Sequence, residues 1–296
     1  MLVVIGSSVL VFVIMYVMPG DPVLQMLSGN STTPEAIAGL RRELGLDKPF
    51  YHQFLDYFYQ LLQGNFGQSR VNKDLVLPKI LEHTPATLML TLVSALFSIV
   101  IGIVLGVLSA IHRNGIIDYV ARFVGLFGIS MPAFWTGILL LLVFSIQLGW
   151  FPTMGSEGWT TLVLPGLALG LVGAGFIVRL VRNTMLEVLG EPFILTLRAK
   201  GLSERSVMYG HALRNSLIPA LTMAGVMVGE LLSGTVVIET VFARQGIGRI
   251  LADAIMAKDM PVVQGVVFFT AMVYVGVNLL VDVSYTFVDP RIRRLQ

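Results

Sequence analysis

Long apolar runs separated by shorter polar stretches divide this chain. Residues 2–18 carry no charge over 17 positions. A mixed, more polar segment of 67 residues follows, and then come five further apolar runs, at 86–111, 123–148, 162–180, 217–238 and 262–288. At 1.5 Å of helical rise per residue each of the five crosses a hydrocarbon core of ~30 Å, some with tilt. The first run sits at the short limit for a span. The pattern predicts an all-α polytopic membrane protein with six transmembrane helices.

Breakers and small residues refine this reading. Pro19-Gly20-Asp21-Pro22 ends the first run. Thr33 can cap a helix opening at Pro34, with Ala36, Ile37 and Leu40 on one face. Residues 51–62 hold Tyr51, Phe54, Tyr57, Phe58 and Tyr59, which suits a helix at a membrane interface; stacking on a ligand is the alternative use of those rings. Gly102 and Gly106 lie one helical turn apart, as do Gly166 and Gly170, and Gly225 and Gly229. Such pairs predict close helix packing. Within the third run Pro132 is placed to kink the helix. No internal repeat and no low-complexity segment is visible.

Composition agrees with the hydropathy. Hydrophobic residues make up 55% of the 296, charged residues 13%, and the mean hydropathy is +0.81. Soluble globular domains carry about 25% charged residues. There is no cysteine, which excludes a disulfide framework, a thiol nucleophile and a Cys-based metal site. No G-x-x-x-x-G-K-[ST] loop and no H-E-x-x-H pair occurs. His52, His83, His112 and His211 are scattered, and no Ser/His/Asp arrangement can be drawn. The chain is therefore expected to catalyse nothing and to carry no cofactor or metal. The first run lacks a basic n-region and a small-residue cleavage site, so a signal peptide is the weaker reading.

The distribution of basic residues says more than the net charge of +2. The loops at 112–122 and 179–216 and the tail at 289–296 hold eleven Lys/Arg, against three in 149–161 and 239–261. The long 19–85 segment counts for little, because long loops translocate regardless of charge. The positive-inside rule then puts the first set, and both termini, in the cytoplasm.

One basic stretch stands out. Residues 179–219 hold Arg179, Arg182, Arg198, Lys200, Arg205 and Arg214 with Glu187, Glu191 and Glu204. Two short helices fit it. Pro192 suits a first helical turn, Phe193, Ile194 and Leu197 recur at helical spacing, and Gly201 can close that helix in a left-handed conformation. Ser203 can cap a second helix, with Leu202 and Val207 at the two ends of a hydrophobic staple. An ordinary loop anchored by positive charge is the plain alternative.

Two acids fall inside apolar runs. An intramembrane ionisable residue points to function, because lipid exposure of its charge costs a few kcal/mol. Glu230 is roughly 20 Å into its run by helical rise and should face a pore or a polar partner. Asp282 reads as a helix-end residue paired with Arg291 or another cation.

The wording of several stretches resembles one family. Ala199-Lys200-Gly201, nine residues, then His211-Ala212-Leu213-Arg214-Asn215 and Ile218-Pro219 is similar to the EAA loop of ABC-importer permeases, in the dipeptide/oligopeptide/nickel branch with R-A-K-G and H-x-L-R-N. It departs from the general pattern in having Leu195-Thr196-Leu197 where E-A-A stands and Arg214 at the usual proline. Gly20-Asp21-Pro22, Ser130-Met131-Pro132-Ala133-Phe134-Trp135, Glu239-x-x-Phe242, Gly246-x-Gly248-Arg249, Pro261-Val262-Val263-Gln264, Asn278-Leu279-Leu280-Val281-Asp282 and Asp289-Pro290-Arg291-Ile292-Arg293 resemble family stretches in the same order. Members usually begin with several basic residues before the first span, so the natural start is expected upstream of Met1.

The resemblance implies the type I importer permease fold, in a multi-pass protein of a prokaryotic cytoplasmic (inner) membrane. It implies a second homologous permease, two ABC ATPase subunits and an extracytoplasmic solute-binding protein as partners, with lipid around the spans and no nucleic acid. Residues 1–85 would form the first helix and an extracytoplasmic segment. Residues 86–288 would form the five-helix permease domain with a cytoplasmic coupling loop at 181–216, and 289–296 a tail. The expected ATPase-coupling residues are Glu187, Arg198, Ala199, Lys200, Gly201, Leu202, His211, Arg214 and Asn215. The expected translocation-pathway residues are Glu230, Met131, Phe134 and Trp135. The expected cargo is a di- or oligopeptide, with nickel or a nickel chelate as the alternative. A secondary transporter is the rival class; it usually shows internal repeats and more intramembrane charge.

Overall fold

The computed structural model describes residues 2–17, 23, 34–43, 45 and 47–288. The Gly20-Asp21-Pro22 turn, the Thr33 cap, the 289–296 tail and the side chain of Asp282 lie outside the described residues. Among those described, helix dominates and the only β pairing is a single bridge, Gln68 with Leu75.

In chain order the helices are α1 (Leu2–Val17), α2 (Pro34–Glu43), α3 (Phe50–Leu62), α4 (Val76–Ile111), α5 (Ile116–Ser130), α6 (Ala133–Leu140), α7 (Thr160–Leu189), α8 (Pro192–Ala199), α9 (Leu213–Val241), α10 (Ile247–Met256) and α11 (Met260–Val288). Two π-helical segments interrupt the α geometry, Leu141–Gln147 after α6 and Ser206–Ala212 before α9.

Among the described residues, four continuous helices are long and apolar enough to cross a membrane: Val76–Ile111, Thr160–Leu189, Ser206–Val241 and the stretch Met260–Val281. The expected third span is not one helix. Its two halves, Ile116–Ser130 and Ala133–Gln147, meet at 115°, far beyond a kink. The cause is local: the Pro132 ring pushes Met131 out of the helical region to φ −93°, ψ 133°, and Pro132 then opens α6. With α1 only 16 residues long, six spans require both the broken pair and this short helix to cross.

The chain divides into two compact units. In the first, residues 1–83 with 250–275, the aromatic helix α3 packs onto α1. Phe12 sits 5.3, 5.4 and 5.5 Å from the rings of Phe50, Phe54 and Tyr57. The Asp259 carboxylate accepts from the Ser69 hydroxyl and from the Arg70 N–H at 3.0 Å, closing the loop before α4. Gly265 packs against Val76.

In the second unit, residues 84–249 with 276–296, α7 is the hub against which α5, α6 and α9 pack. The glycine pairs at 102/106 and 166/170 do what their spacing predicts. A Cβ on Gly106 would lie 2.8 Å from Val181, and one on Gly170 would lie 2.8 Å from Phe97, so α4 and α7 approach backbone to backbone. Leu164, Ala168, Leu169, Leu231, Ile238 and Phe242 form one buried cluster, and Ile177, Val181, Met185, Ala220 and Met227 another.

Candidate functional site

The 179–219 stretch folds as a closed hairpin. α7 ends at Leu189, Glu191 turns the chain in extended geometry, and Pro192 occupies the first turn of α8. Gly201 ends α8 with φ +82°. The Gly201 N–H donates to Arg198 O at 2.9 Å and the Leu202 N–H to Leu197 O at 3.3 Å. These are the two crossed bonds of a Schellman cap. Ser203 then caps the next helix: its Oγ accepts from the Ser206 N–H at 3.4 Å and its carbonyl from the Val207 N–H at 3.0 Å. Leu202 and Val207 meet in a small core with Ile194, Leu197, Ala212, Val188 and Leu189.

An ion pair bridges the Gly201 turn. Arg198 Nε and Nη2 donate to the two carboxylate oxygens of Glu204 at 2.7 and 3.1 Å. That hydrogen bonding holds the Arg198 guanidinium above its usual range. Outside the core the hairpin presents Glu187, Phe193, Leu195, Ala199, Lys200, Gly201, Arg205 and Tyr209 to the surface. Leu195 and Tyr209 are 65% and 52% exposed, which is a large apolar area for an otherwise charged turn.

One expectation needs correction. The second helix of the hairpin is not short. It runs unbroken from Ser206 through the π segment into Val241. Each π turn accommodates one extra residue, so the chain enters α9 without a loop. His211 lies in the π segment, and its carbonyl accepts from Asn215 Nδ2 at 3.1 Å. Arg214 and Asn215, both exposed, open α9.

The rest of α9 has two chemically distinct faces. Asn215, Pro219, Thr222, Val226, Glu230, Ser233, Val237 and Thr240 are all exposed and fall within an arc of about 80° at 3.6 residues per turn. Glu230 is therefore on an exposed, partly polar face of this chain. It lies about 22 Å beyond Asn215 by helical rise, so the two expected sites are separated along one helix. Met131 is half-buried at the break before α6, and Phe134 and Trp135 are 44% and 40% exposed. The Trp135 ring lies 6.4 Å from that of Phe127, so it also packs on α5.

Glu239, nine residues after Glu230, points the opposite way, since nine residues rotate a helix by about 180°. Its side chain is fully buried. The carboxylate accepts from Thr87 Oγ1 at 2.6 Å, the Gly248 N–H at 2.8 Å and the Arg249 N–H at 3.2 Å. It thus caps the N-terminus of α10 and ties it to α4. Gly246 and Gly248 are required there, because a Cβ on Gly246 would overlap the carboxylate. Arg244 is buried beside it and donates to Thr161 Oγ1 at 3.1 Å. Burial depresses the Arg244 guanidinium, and the Glu239 charge partly restores it. Sequence reading singled out Glu239 only as part of a familiar stretch. Its glycine-rich sequel, Gly246-Ile247-Gly248, was the signal that a carboxylate is approached closely.

A second buried acid was missed. Asp118 is inaccessible to solvent, and Arg182 of α7 donates to both its oxygens at 2.9 and 3.0 Å. Ser109 Oγ and the Asn114 N–H add bonds of 2.6 and 2.9 Å, and Arg122 Nε stands at 3.2 Å. This cluster fixes the α4–α5 turn against α7 just before the hairpin. No group of three or more potential metal ligands occurs among the described residues.

These features define a polytopic α-helical membrane protein in which a surface-exposed hairpin joins two long helices. Comparison with known proteins gives the particular family. Residues 102–294 match the binding-protein-dependent transport system inner membrane component, and residues 1–91 its N-terminal family. The chain belongs to this family and is a permease subunit of an ABC import system. It is 40% identical over 286 residues to the glutathione transport system permease protein GsiC of Escherichia coli K12, covering 97% of this chain and 93% of that one. The match to GsiC of Shigella dysenteriae is the same. Inward-facing structures of the MetNI methionine ABC transporter share the fold, with a TM-score of 0.60 at 21% identity over 71% of this chain and 96% of that one. An amino acid ABC transporter crystallised with histidines superposes with a TM-score of 0.53 at 13% identity.

Family membership carries some expectations and leaves others open. The fold class and the permease role stand. So does residence in the inner membrane as a multi-pass component, working with ATPase, binding-protein and second-permease partners.

Proposed function

We propose that this chain forms one half of the pathway of an importer for small peptides. Its 187–215 hairpin docks into an ATPase subunit, and the Glu230 face of α9 lines the route. The observation that carries this reading is the continuity of Ser206–Val241: one helix links the exposed hairpin to the exposed acid. The 40% identity to a glutathione permease favours a peptide over a metal chelate as cargo. The chain itself hydrolyses nothing; ATP binding and hydrolysis belong to the partner ATPases. The hairpin and both termini face the cytoplasm by the positive-inside count.

In this reading Phe193, Leu195 and Tyr209 supply the apolar contact, with Glu187, Arg198, Ala199, Lys200, Gly201 and Leu202 shaping the turn. His211, Arg214 and Asn215 pass the movement into α9. Because Gly201 sits at φ +82°, Gly201→Asp strains the turn by about 1 kcal/mol or more and adds a charge. Nothing lies within 4 Å of the Cβ it would add, so the fold persists. The variant is expected to insert and assemble, but substrate-stimulated ATP hydrolysis and import should fall together. Normal import with normal stimulation would overturn the docking assignment.

A further inference from the structure

A groove runs between α5 and α7, away from the hairpin's exposed tip. It encloses about 430 Å³ and is lined by Arg122, Gly125, Leu126, Ile129, Gly175, Val178, Arg179, Arg182 and Asn183. On α5 the lining residues fall at 122, 125, 126 and 129, and on α7 at 175, 178, 179, 182 and 183, one stripe on each helix. The helices are antiparallel, so all the polar residues gather at the hairpin end and the rest is apolar. At its floor the backbones touch: a Cβ on Gly175 would strike the Gly125 carbonyl and lie 2.8 Å from Ile129.

The charge at the polar end is unbalanced. Three guanidinium groups line this end, and only Asp118, paired with Arg182 and Arg122, offsets them. Arg182 spends itself on that carboxylate in two bonds. Arg122 touches it through Nε alone, lies over the Tyr119 ring at 4.6 Å and is 45% exposed. Arg179 is exposed, with the Phe176 ring 6.0 Å away, and forms no ion pair among the described residues. About two positive charges therefore stand at the mouth of an apolar slot in an inner-membrane protein.

We propose that this groove holds an acyl chain of an anionic phospholipid, with its phosphate bound by Arg179 and Arg122 and assisted by Asn183. An apolar slot ending in surplus cationic charge matches an amphiphile with one anionic head, and basic pockets between spans on the cytoplasmic side select such headgroups. A helix of a partner permease would fill the slot but leave the arginines unmatched. The proposal rests on the membrane location and not on the cargo.

The assembled transporter is reconstituted in nanodiscs of equal parts phosphatidylethanolamine and phosphatidylglycerol, then released and examined by native mass spectrometry for retained lipid. The wild type should retain phosphatidylglycerol selectively. Arg179→Gln should cut that retention about fivefold, the equivalent of ~1 kcal/mol for one cation near the surface, with phosphatidylethanolamine unchanged. Leu126→Trp, at a position 64% exposed, fills the slot with the arginines intact and should reduce retention of both lipids. Wild-type phosphatidylglycerol retention by Arg179→Gln would overturn the headgroup assignment, and unchanged retention by Leu126→Trp would overturn the acyl slot. Because the chain has no cysteine, Leu126→Cys gives a clean third reading: efficient cross-linking to the partner permease would replace the lipid with a protein contact.

Discussion

Glu239 offers the sharpest physical test of how this permease is built. Glu239→Ala removes the acceptor for the Gly248 N–H, which lies 2.8 Å away, and for the Thr87 hydroxyl, 2.6 Å away. The Thr87 hydroxyl, which also accepts from the Ile247 N–H at 2.9 Å, loses its acceptor. Each buried donor left without an acceptor costs about 1–3 kcal/mol. Two of them give roughly 2–6 kcal/mol, before the void left by the side chain and the loss of a neighbouring charge for Arg244. At about 2–4 °C per kcal/mol for chains of this order, the melting temperature should fall by roughly 4–24 °C. The assay is thermal unfolding of the assembled complex in detergent, followed by intrinsic fluorescence. Gly246→Ala should produce a loss of similar kind, because its Cβ displaces the same carboxylate. The double variant should then be less destabilised than the sum of the singles, since the two act on one contact. A Glu239→Ala complex that melts within a degree of wild type, or losses that simply add, would refute the reasoning.

Glu230→Gln should leave assembly and melting unchanged, because the side chain is exposed, and should slow import of peptides with a free ammonium group more than of blocked ones; equal rates for both would take Glu230 out of the pathway. Asp118→Asn should destabilise the complex by about 3–5 kcal/mol, the cost of breaking a buried ion pair, and Arg182→Gln in the same chain should recover much of it; a double variant no better than the single would contradict the pairing. For orientation, cysteine at Gln68 should react with an impermeant thiol reagent in intact cells and cysteine at Ser203 should not, both positions being exposed in the fold; the reverse labelling would invert the topology.

What was legible in the sequence was what is local. The Schellman cap at Gly201, the proline start of α8 and the Leu202–Val207 staple each involve residues within six positions of one another, so spacing alone revealed them. The glycine pairs were legible because one helical turn is also a local repeat. The break at Pro132 was visible as a position but not as an angle, since a proline kink and a full break differ only in what surrounds them. Glu239 and Asp118 were not legible as sites. Thr87 lies 152 positions from Glu239 and Arg182 lies 64 from Asp118, and periodicity says nothing about such partners. Glu230 drew notice because an acid in an apolar run is conspicuous. Glu239 sits at the end of the same run and looked like part of the following loop.

The two acids of α9 make sense together. A helix of 36 residues is about 54 Å long and cannot absorb a displacement at one end unless something lets it bend. In Ser206–Val241 the far end is pinned: Glu239 is bonded to Thr87 on α4 and to the first turn of α10. The near end carries the exposed hairpin, braced by its own small core and by the Arg198–Glu204 pair. Between them lies the open face with Glu230. The irregular point in the rod is the π segment Ser206–Ala212, a geometry found mostly as single-turn bulges at functional sites. Under the proposed docking, a push on the hairpin would have two outlets, rotation of the whole helix about its bonded end or rephasing within the π turns, and either would turn the Glu230 face relative to its surroundings. In the proposed reading the left-handed glycine, the buried glutamate and the exposed glutamate would act as parts of one lever, although they are distributed over 39 residues.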